Sequence, residues 1–458
     1  MLFSQYCTRM MERLVESCRD AKNALVNTDI SWRTYGLIAC FALSSWITVN
    51  GIWSELPVIV LYAPEKWKIA SYTVVIIQLG FAGPLLFSLA NRLRPRVFTE
   101  KVTIYLIFLI GILSCLFLSM WYRTTTNIDG KPHSVVLMVL VFTMALVDCT
   151  SSVVFLTFMA FYDPRYVTAL YIGESFCGLL PGLAAIIQGS PTIVCNNSSD
   201  ATSGNSTSQQ YDDSGLLFSA SAYFIILLVM ILFSGSAFFA LNFLPFAVKE
   251  QSAEVITAAV VPQHCNDATD RTELINEELE TEVKCGSSCL SNRGLSFLFF
   301  LQAIVSAFSF GILPSLSPYA FEPYGMPSYH LVASLGPIAS SFICFFTIWF
   351  RIKSRKTLLI ASFVFLCAAV YQVILASQSP TPWLSKSDTG ATLAVIGGLT
   401  TSMLGIYIRL TISIIMREES KRALYWCGMS IQIGSVIGAF TIFPFVSVFH
   451  DFHGKDVC

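Results

Sequence analysis

The chain has 458 residues, 54% of them hydrophobic and 12% charged, with a net charge of −1. Soluble globular chains carry roughly twice that share of charged residues, so a water-facing shell around one core is excluded. No basic cluster points to nucleic acid, and no nucleophile–base set, metal-ligand spacing or phosphate loop points to an enzyme or a bound cofactor.

The reading is an all-α polytopic membrane protein. Residues 1–33 include "TRMMERLVESCRDAKNALV", which predicts a charged amphipathic helix on the cytoplasmic side rather than a cleaved signal peptide. A membrane span needs roughly 20 mainly apolar residues. By that measure eleven spans lie near 34–62, 71–91, 102–122, 135–161, 166–189, 216–247, 295–317, 328–350, 357–377, 389–416 and 422–449. Residues 34–247 thus form a six-helix unit and 294–449 a five-helix unit, in a two-bundle arrangement. Between them, 248–293 reads as a polar, acidic cytoplasmic linker ("DRTELINEELETEVK"), and 450–458 as an extracellular tail.

Charge sets the orientation. "NRLRPRVFTEK" after span two, "RIKSRK" after span eight and "REESKR" after span ten are rich in Arg and Lys, which places these loops in the cytoplasm. The same parity puts loop 190–215 outside, where "CNNSSDATSGNSTS" offers glycosylation acceptors at Asn196, Asn197 and Asn205. The N-terminus is then cytoplasmic and the C-terminus extracellular. Cys195 and Cys458 are the cysteines that fall in outside segments, which makes them a candidate disulfide.

Polar groups at membrane depth are the candidates for a solute path, because each is costly unless it faces a cavity or a partner. Counted at 1.5 Å per residue, Arg409 and Glu174 lie about 11 and 12 Å from the cytoplasmic ends of their spans and Asp148 about 20 Å. Asn50 and Glu55 lie nearer the outer side. With Gln78, Gln302 and Gln432 they would line a polar column. Other roles stay open: Glu174 and Arg409 as a structural ion pair, and Thr150, Ser151 and Ser152 as packing contacts between helices.

Span one reads "ITVNGIWSELPVIV" and span seven "SFGILPSLSPYA", each with Gly-Ile followed by proline. Interrupted helices at corresponding places in two halves point to a transporter's binding site. Pro57 removes the N–H that would bond the Trp53 carbonyl. Trp46, Asn50 and Trp53 fall at i, i+4 and i+7, one helix face.

These segments, with "IQLGFAGPL", "ALVDCTSSVVFLTFM", "GESFCGLLP" and "ALYWCGMSIQIGSVIGAF", closely resemble the animal riboflavin transporters from about residue 36 to 450. The resemblance implies eleven spans in a fold like that of the equilibrative nucleoside transporters. It also implies sodium-independent riboflavin uptake at the plasma membrane by alternating access. The solute's flat ring suits Trp53 and Tyr319, and its heteroatoms and ribityl hydroxyls suit Asn50, Gln78, Asp148 and Thr150. Glu55, Asp148 and Glu174 are candidates for a proton-sensitive step. Two positions depart from the family pattern: Phe310 replaces an expected asparagine and Arg409 an expected lysine. The competing functions are transport of another flat or hydroxylated solute, such as a nucleoside, and a membrane receptor that moves nothing.

Overall fold

The computed structural model describes residues 31–94, 96–195, 209–212, 215–251, 292–349, 355–449 and 451–454. Helices α1 (Trp32–Ala42) and α2 (Ile47–Tyr62) form one apolar stretch bent by 48°. Helices α3 (Ile69–Gly80) and α4 (Ala82–Leu93) make up the second, followed by α5 (Glu100–Trp121), α6 (Val135–Phe158), α7 (Val167–Gln188) and α8 (Ala220–Phe243). In the second half of the chain α9 (Asn292–Ala307) passes through a π-helical turn at Phe308–Ile312 into α10 (Leu313–Phe321). Then come α11 (Met326–Trp349), α12 (Arg355–Ser377), α13 (Asp388–Glu419) and α14 (Lys421–Ser447). Among the described residues ten stretches are each long and apolar enough to cross a bilayer, or eleven with the bent pair. The structure is that of an all-α polytopic membrane protein.

Helix starts follow from local chemistry. Thr99, Ser219, Ser387 and Ser420 precede α5, α8, α13 and α14, and each side chain accepts the N–H three residues on. Such caps satisfy one of the four donors a helix leaves open at its start.

The break in the first span lies at residues 43–46, not at Gly51 or Pro57. Helix α2 runs through both of those residues, and Trp46, at φ −127° and ψ 20°, is where the chain leaves helical geometry. Other helices supply the partners that the break exposes. The Phe41 carbonyl accepts Ser234 Oγ from α8 at 2.5 Å, and the Ser45 carbonyl accepts Ser151 Oγ from α6 at 2.7 Å. On the other side of the break, Asp148 Oδ2 accepts the Val49 N–H and Thr48 Oγ1, both at 2.8 Å. Gly51 instead serves packing, since a Cβ there would collide with Leu227 of α8. Gly311 does the same in the seventh span, where a Cβ would strike the α14 backbone at Gly438 and Ala439.

Within the first half α5 packs on α6 and α8, and α1 on α7 and α8; within the second, α9 packs on α14, and α13 on α11 and α12. The halves meet along α7–α11, α2–α11, α3–α14 and α3–α10. Two antiparallel hairpins mark one end of the molecule: β1 (Thr126–Ile128) with β2 (Lys131–His133), and β3 (Thr192–Cys195) with β4 (Gln209–Asp212).

One continuous apolar core joins the first half to Leu316, Phe321, Met326, Tyr329 and Val446 of the second. A separate core, from Leu298 to Cys427, belongs to the second half alone. The halves therefore share an interior toward the hairpin end. There Ser71 and Ser447 hydroxyls lie 3.1 Å apart, Tyr72 meets the edge of Phe443, and Tyr319 packs on Phe452. The expected N-terminal helix up to residue 30, Asn196, Asn197, Asn205, Cys458 and linker residues 252–291 lie outside the described residues.

Candidate solute cavity

A cavity of about 510 Å³ opens where the two halves meet. Its first-half wall carries Asn50 and Trp53 of α2 and, just before that helix, Trp46. Trp46 is fixed by its indole N–H, which donates to Ser152 Oγ at 2.7 Å. Asn50 Nδ2 lies 3.3 Å from Cys177 Sγ on α7. Gln78 of α3 and Glu174 of α7 complete this side. Glu174 Oε1 accepts Ser45 Oγ at 3.3 Å, beside the break in the first span.

The second-half wall is built from Phe310 in the π turn, Tyr329 of α11, Arg409 of α13 and Gln432 of α14. Arg409 Cζ stands 3.9 Å from the centre of the Phe310 ring, a cation–π contact. Several polar atoms here are buried without a partner in the protein: Gln78 Oε1, Gln432 Oε1, Ser309 Oγ, the Tyr329 hydroxyl and Arg409 Nη1. Buried polar groups are normally paired, and around this cavity water or a ligand can supply the missing bonds.

Of the residues expected from sequence, Asn50, Trp53, Gln78, Glu174 and Arg409 line this cavity, and so does Gln432. Glu55, Asp148, Thr150 and Tyr319 do not line it. Glu55 is fully buried and accepts Gln188 Nε2 at 3.0 Å, within the first half. Asp148, also fully buried, serves the start of α2 rather than a solute hydroxyl. Thr150 Oγ1 returns its proton to the Leu146 carbonyl at 2.6 Å and packs against Gly83 of α4. On α10 the cavity face carries Leu313, Pro314, Ser317 and Phe321. Tyr319, two residues from both Ser317 and Phe321, faces the opposite way and is buried against Phe452. Glu174 and Arg409 line the same cavity without forming an ion pair among the described residues.

Sequence reasoning missed Phe310 and Tyr329 as wall residues. It also missed Gln372, whose Nε2 donates to Thr401 Oγ1 at 2.7 Å on the second-half wall. The signal for Tyr329 was its place in "PSYHLVASLGPIASS", where small residues follow at helical spacing.

Residues 30–454 match the family described as solute carrier family 52, riboflavin transporter. The chain is 33% identical to Riboflavin transporter 2 of Salmo salar, over 93% of this chain and 98% of that protein. It is 34% identical to solute carrier family 52, riboflavin transporter, member 3-A of Danio rerio, with the same coverage. Member 3 of Homo sapiens is 31% identical over 92% of this chain and 97% of that protein. Among solved structures, a D-xylose-proton symporter superposes with a TM-score of 0.55 at 12% identity, covering 92% of each chain. A peptide-transporter-family protein, PepTSo, gives 0.53 at 12% identity over 92% of this chain and 91% of that one. Those two likenesses concern the fold alone, which is shared with transporters. On its sequence, this chain belongs to solute carrier family 52, the riboflavin transporter family, whose members are carriers and not enzymes.

Proposed function

We propose that this chain carries riboflavin across the membrane and that the cavity between its halves is the solute site. The observation that carries this reading is the composition of the two facing walls. Trp46 and Trp53 offer flat apolar surface for a tricyclic ring, and Asn50, Gln78, Gln432 and Arg409 offer donors and acceptors for heteroatoms and hydroxyls. The cavity volume of about 510 Å³ falls within the range of about 300–1,000 Å³ usual for small-molecule sites. Riboflavin is neutral at pH 7, so the walls have no need of a strong counter-charge.

The reading extends to direction and mechanism. The six-span and five-span halves move about the central site in alternating access, with uptake from outside at the plasma membrane and no requirement for sodium. On the proposed orientation, with the basic loops inside, the hairpin end faces outward and the core that the halves share there closes the outer side. The test is uptake of labelled riboflavin by cells expressing the chain, in sodium and in sodium-free medium, with and without Asn50→Ala. Uptake in both media, reduced at least tenfold by the substitution, is expected. Absence of uptake by the unsubstituted chain would overturn the proposal, and competition by nucleosides but not by flavins would reassign the solute.

A further inference from the structure

Arg409 and Phe310, both on the cavity wall, touch one another. Arg409 is held twice, by its Nε donating to the Gly405 carbonyl at 3.1 Å and by its guanidinium lying over the Phe310 ring. Its Nη1 is buried and has no partner in the protein. Among the described residues no carboxylate pairs with it. A guanidinium is planar and keeps its charge, so a stacked one presents N–H donors in a fixed plane. The Phe310 backbone carbonyl accepts Gln78 Nε2 at 3.3 Å. Gln78 Oε1 remains a buried acceptor without a partner beside that bond. The Phe310 residue therefore joins a charged donor on one flank to an amide acceptor on the other, both on the cavity wall.

A ligand group that satisfies both offers a carbonyl oxygen to the guanidinium and an N–H to the amide oxygen. That is the chemistry of a cyclic imide. Riboflavin carries such an edge on its ring, with two carbonyls flanking an N–H, whereas its ribityl hydroxyls are flexible and each can donate or accept. Charge-assisted bonds from a preorganised guanidinium favour the rigid carbonyl. We infer that the stacked Phe310–Arg409 pair, together with Gln78, is the specificity determinant that reads the imide edge of the flavin ring; this rests on the cavity being the riboflavin site.

The experiment compares three flavins as inhibitors of labelled riboflavin uptake: riboflavin, lumiflavin, which has the ring without the ribityl chain, and N3-methylriboflavin, which has the imide N–H blocked. In Arg409→Gln, riboflavin and lumiflavin are expected to lose apparent affinity by the same factor, about tenfold or more for a charged hydrogen bond. In the unsubstituted chain N3-methylriboflavin competes poorly, and Gln78→Leu narrows its gap to riboflavin. Phe310→Leu, which keeps an apolar side chain but removes the stack, gives a smaller parallel loss and guards against misfolding of the arginine variant. The inference is overturned if Arg409→Gln and Phe310→Leu weaken riboflavin while sparing lumiflavin, or leave both unchanged. It is also overturned if lumiflavin does not compete, or if N3-methylriboflavin competes as well as riboflavin. No riboflavin uptake by the unsubstituted chain would instead sink the transport reading on which the inference stands.

Discussion

Gln78 and Phe310 belong to opposite halves of the chain and are joined by a hydrogen bond, Gln78 Nε2 donating to the Phe310 carbonyl at 3.3 Å. Phe310 lies in the π turn Phe308–Ile312, where helical bonds run to the fifth residue rather than the fourth. The turn sits on the cavity wall, and the Gln78 amide reaches it from the other half. The π turn of span seven thus carries a contact between the two halves.

This relationship predicts a loss of stability. Gln78→Leu removes the hydrogen bond to the Phe310 carbonyl, worth about 0.5–1.5 kcal/mol, and should lower the melting temperature of the purified protein. Thermal melts of the parent and the variant measure the change, and an unchanged midpoint would show that the bond does not hold the halves together.

At the hairpin end the contact between halves is close enough to trap. Ser71 of α3 and Ser447 of α14 have hydroxyls 3.1 Å apart. Replacing both with cysteine places two sulfurs within disulfide reach, provided the Cα positions follow the side chains. Mild oxidation of Ser71→Cys with Ser447→Cys should block uptake and a reducing agent should restore it, while each single variant transports normally under oxidant. Undiminished uptake by the oxidised, cross-linked double variant would rule out opening at this end as part of the cycle.

Asp148 shows how a polar residue at membrane depth can be structural. Its Oδ2 accepts the Val49 N–H and Thr48 Oγ1 at the start of α2, doing from a neighbouring helix what a capping side chain usually does from within. A helix N-terminus also carries partial positive charge, which a carboxylate complements. Asp148→Ala should destabilise the fold by about 1–3 kcal/mol, since it orphans a buried N–H. Asp148→Asn keeps an acceptor oxygen and should lose less. Thermal melts in detergent rank the two, and the opposite ranking would refute the capping role.

What the sequence disclosed and what it withheld divide along physical lines. Span positions were legible because hydropathy is a local property. The expected 135–161 and 357–377 lie within a residue of the apolar helices Val135–Phe161 and Lys356–Ser377. The shared face of Asn50 and Trp53 was legible because helical spacing alone puts them together, and Trp46 joins them from just outside the helix. The role of Asp148 was not, since nothing in "ALVDCTSS" says that an orphaned N–H on another helix lies opposite it. The break in span one was misplaced for a related reason. Gly51 and Pro57 are the strongest local helix breakers in the stretch, yet Gly51 is a packing contact and Pro57 is carried inside an intact helix. The true break at residues 43–46 is held open by Ser151, Ser234 and Asp148, all distant in sequence.

The three carboxylates first grouped as candidates for proton sensing now separate by access. Glu55 is enclosed within the first half with Gln188, and Asp148 is enclosed at the start of α2. Glu174 is different: it lines the cavity and is held by Ser45 Oγ beside the break in the first span. A proton that responds to solution pH during the cycle must reach its carboxylate through water, and the cavity is such a route for Glu174. Glu174→Gln should therefore flatten the pH profile of riboflavin uptake between mildly acidic and neutral solution. Glu55→Gln retains an acceptor for the Gln188 amide and should keep the shape of the profile. Uptake measured across that range for the parent and both variants decides the matter. A profile altered by Glu55→Gln but not by Glu174→Gln would mean that the proton travels by a path other than the cavity.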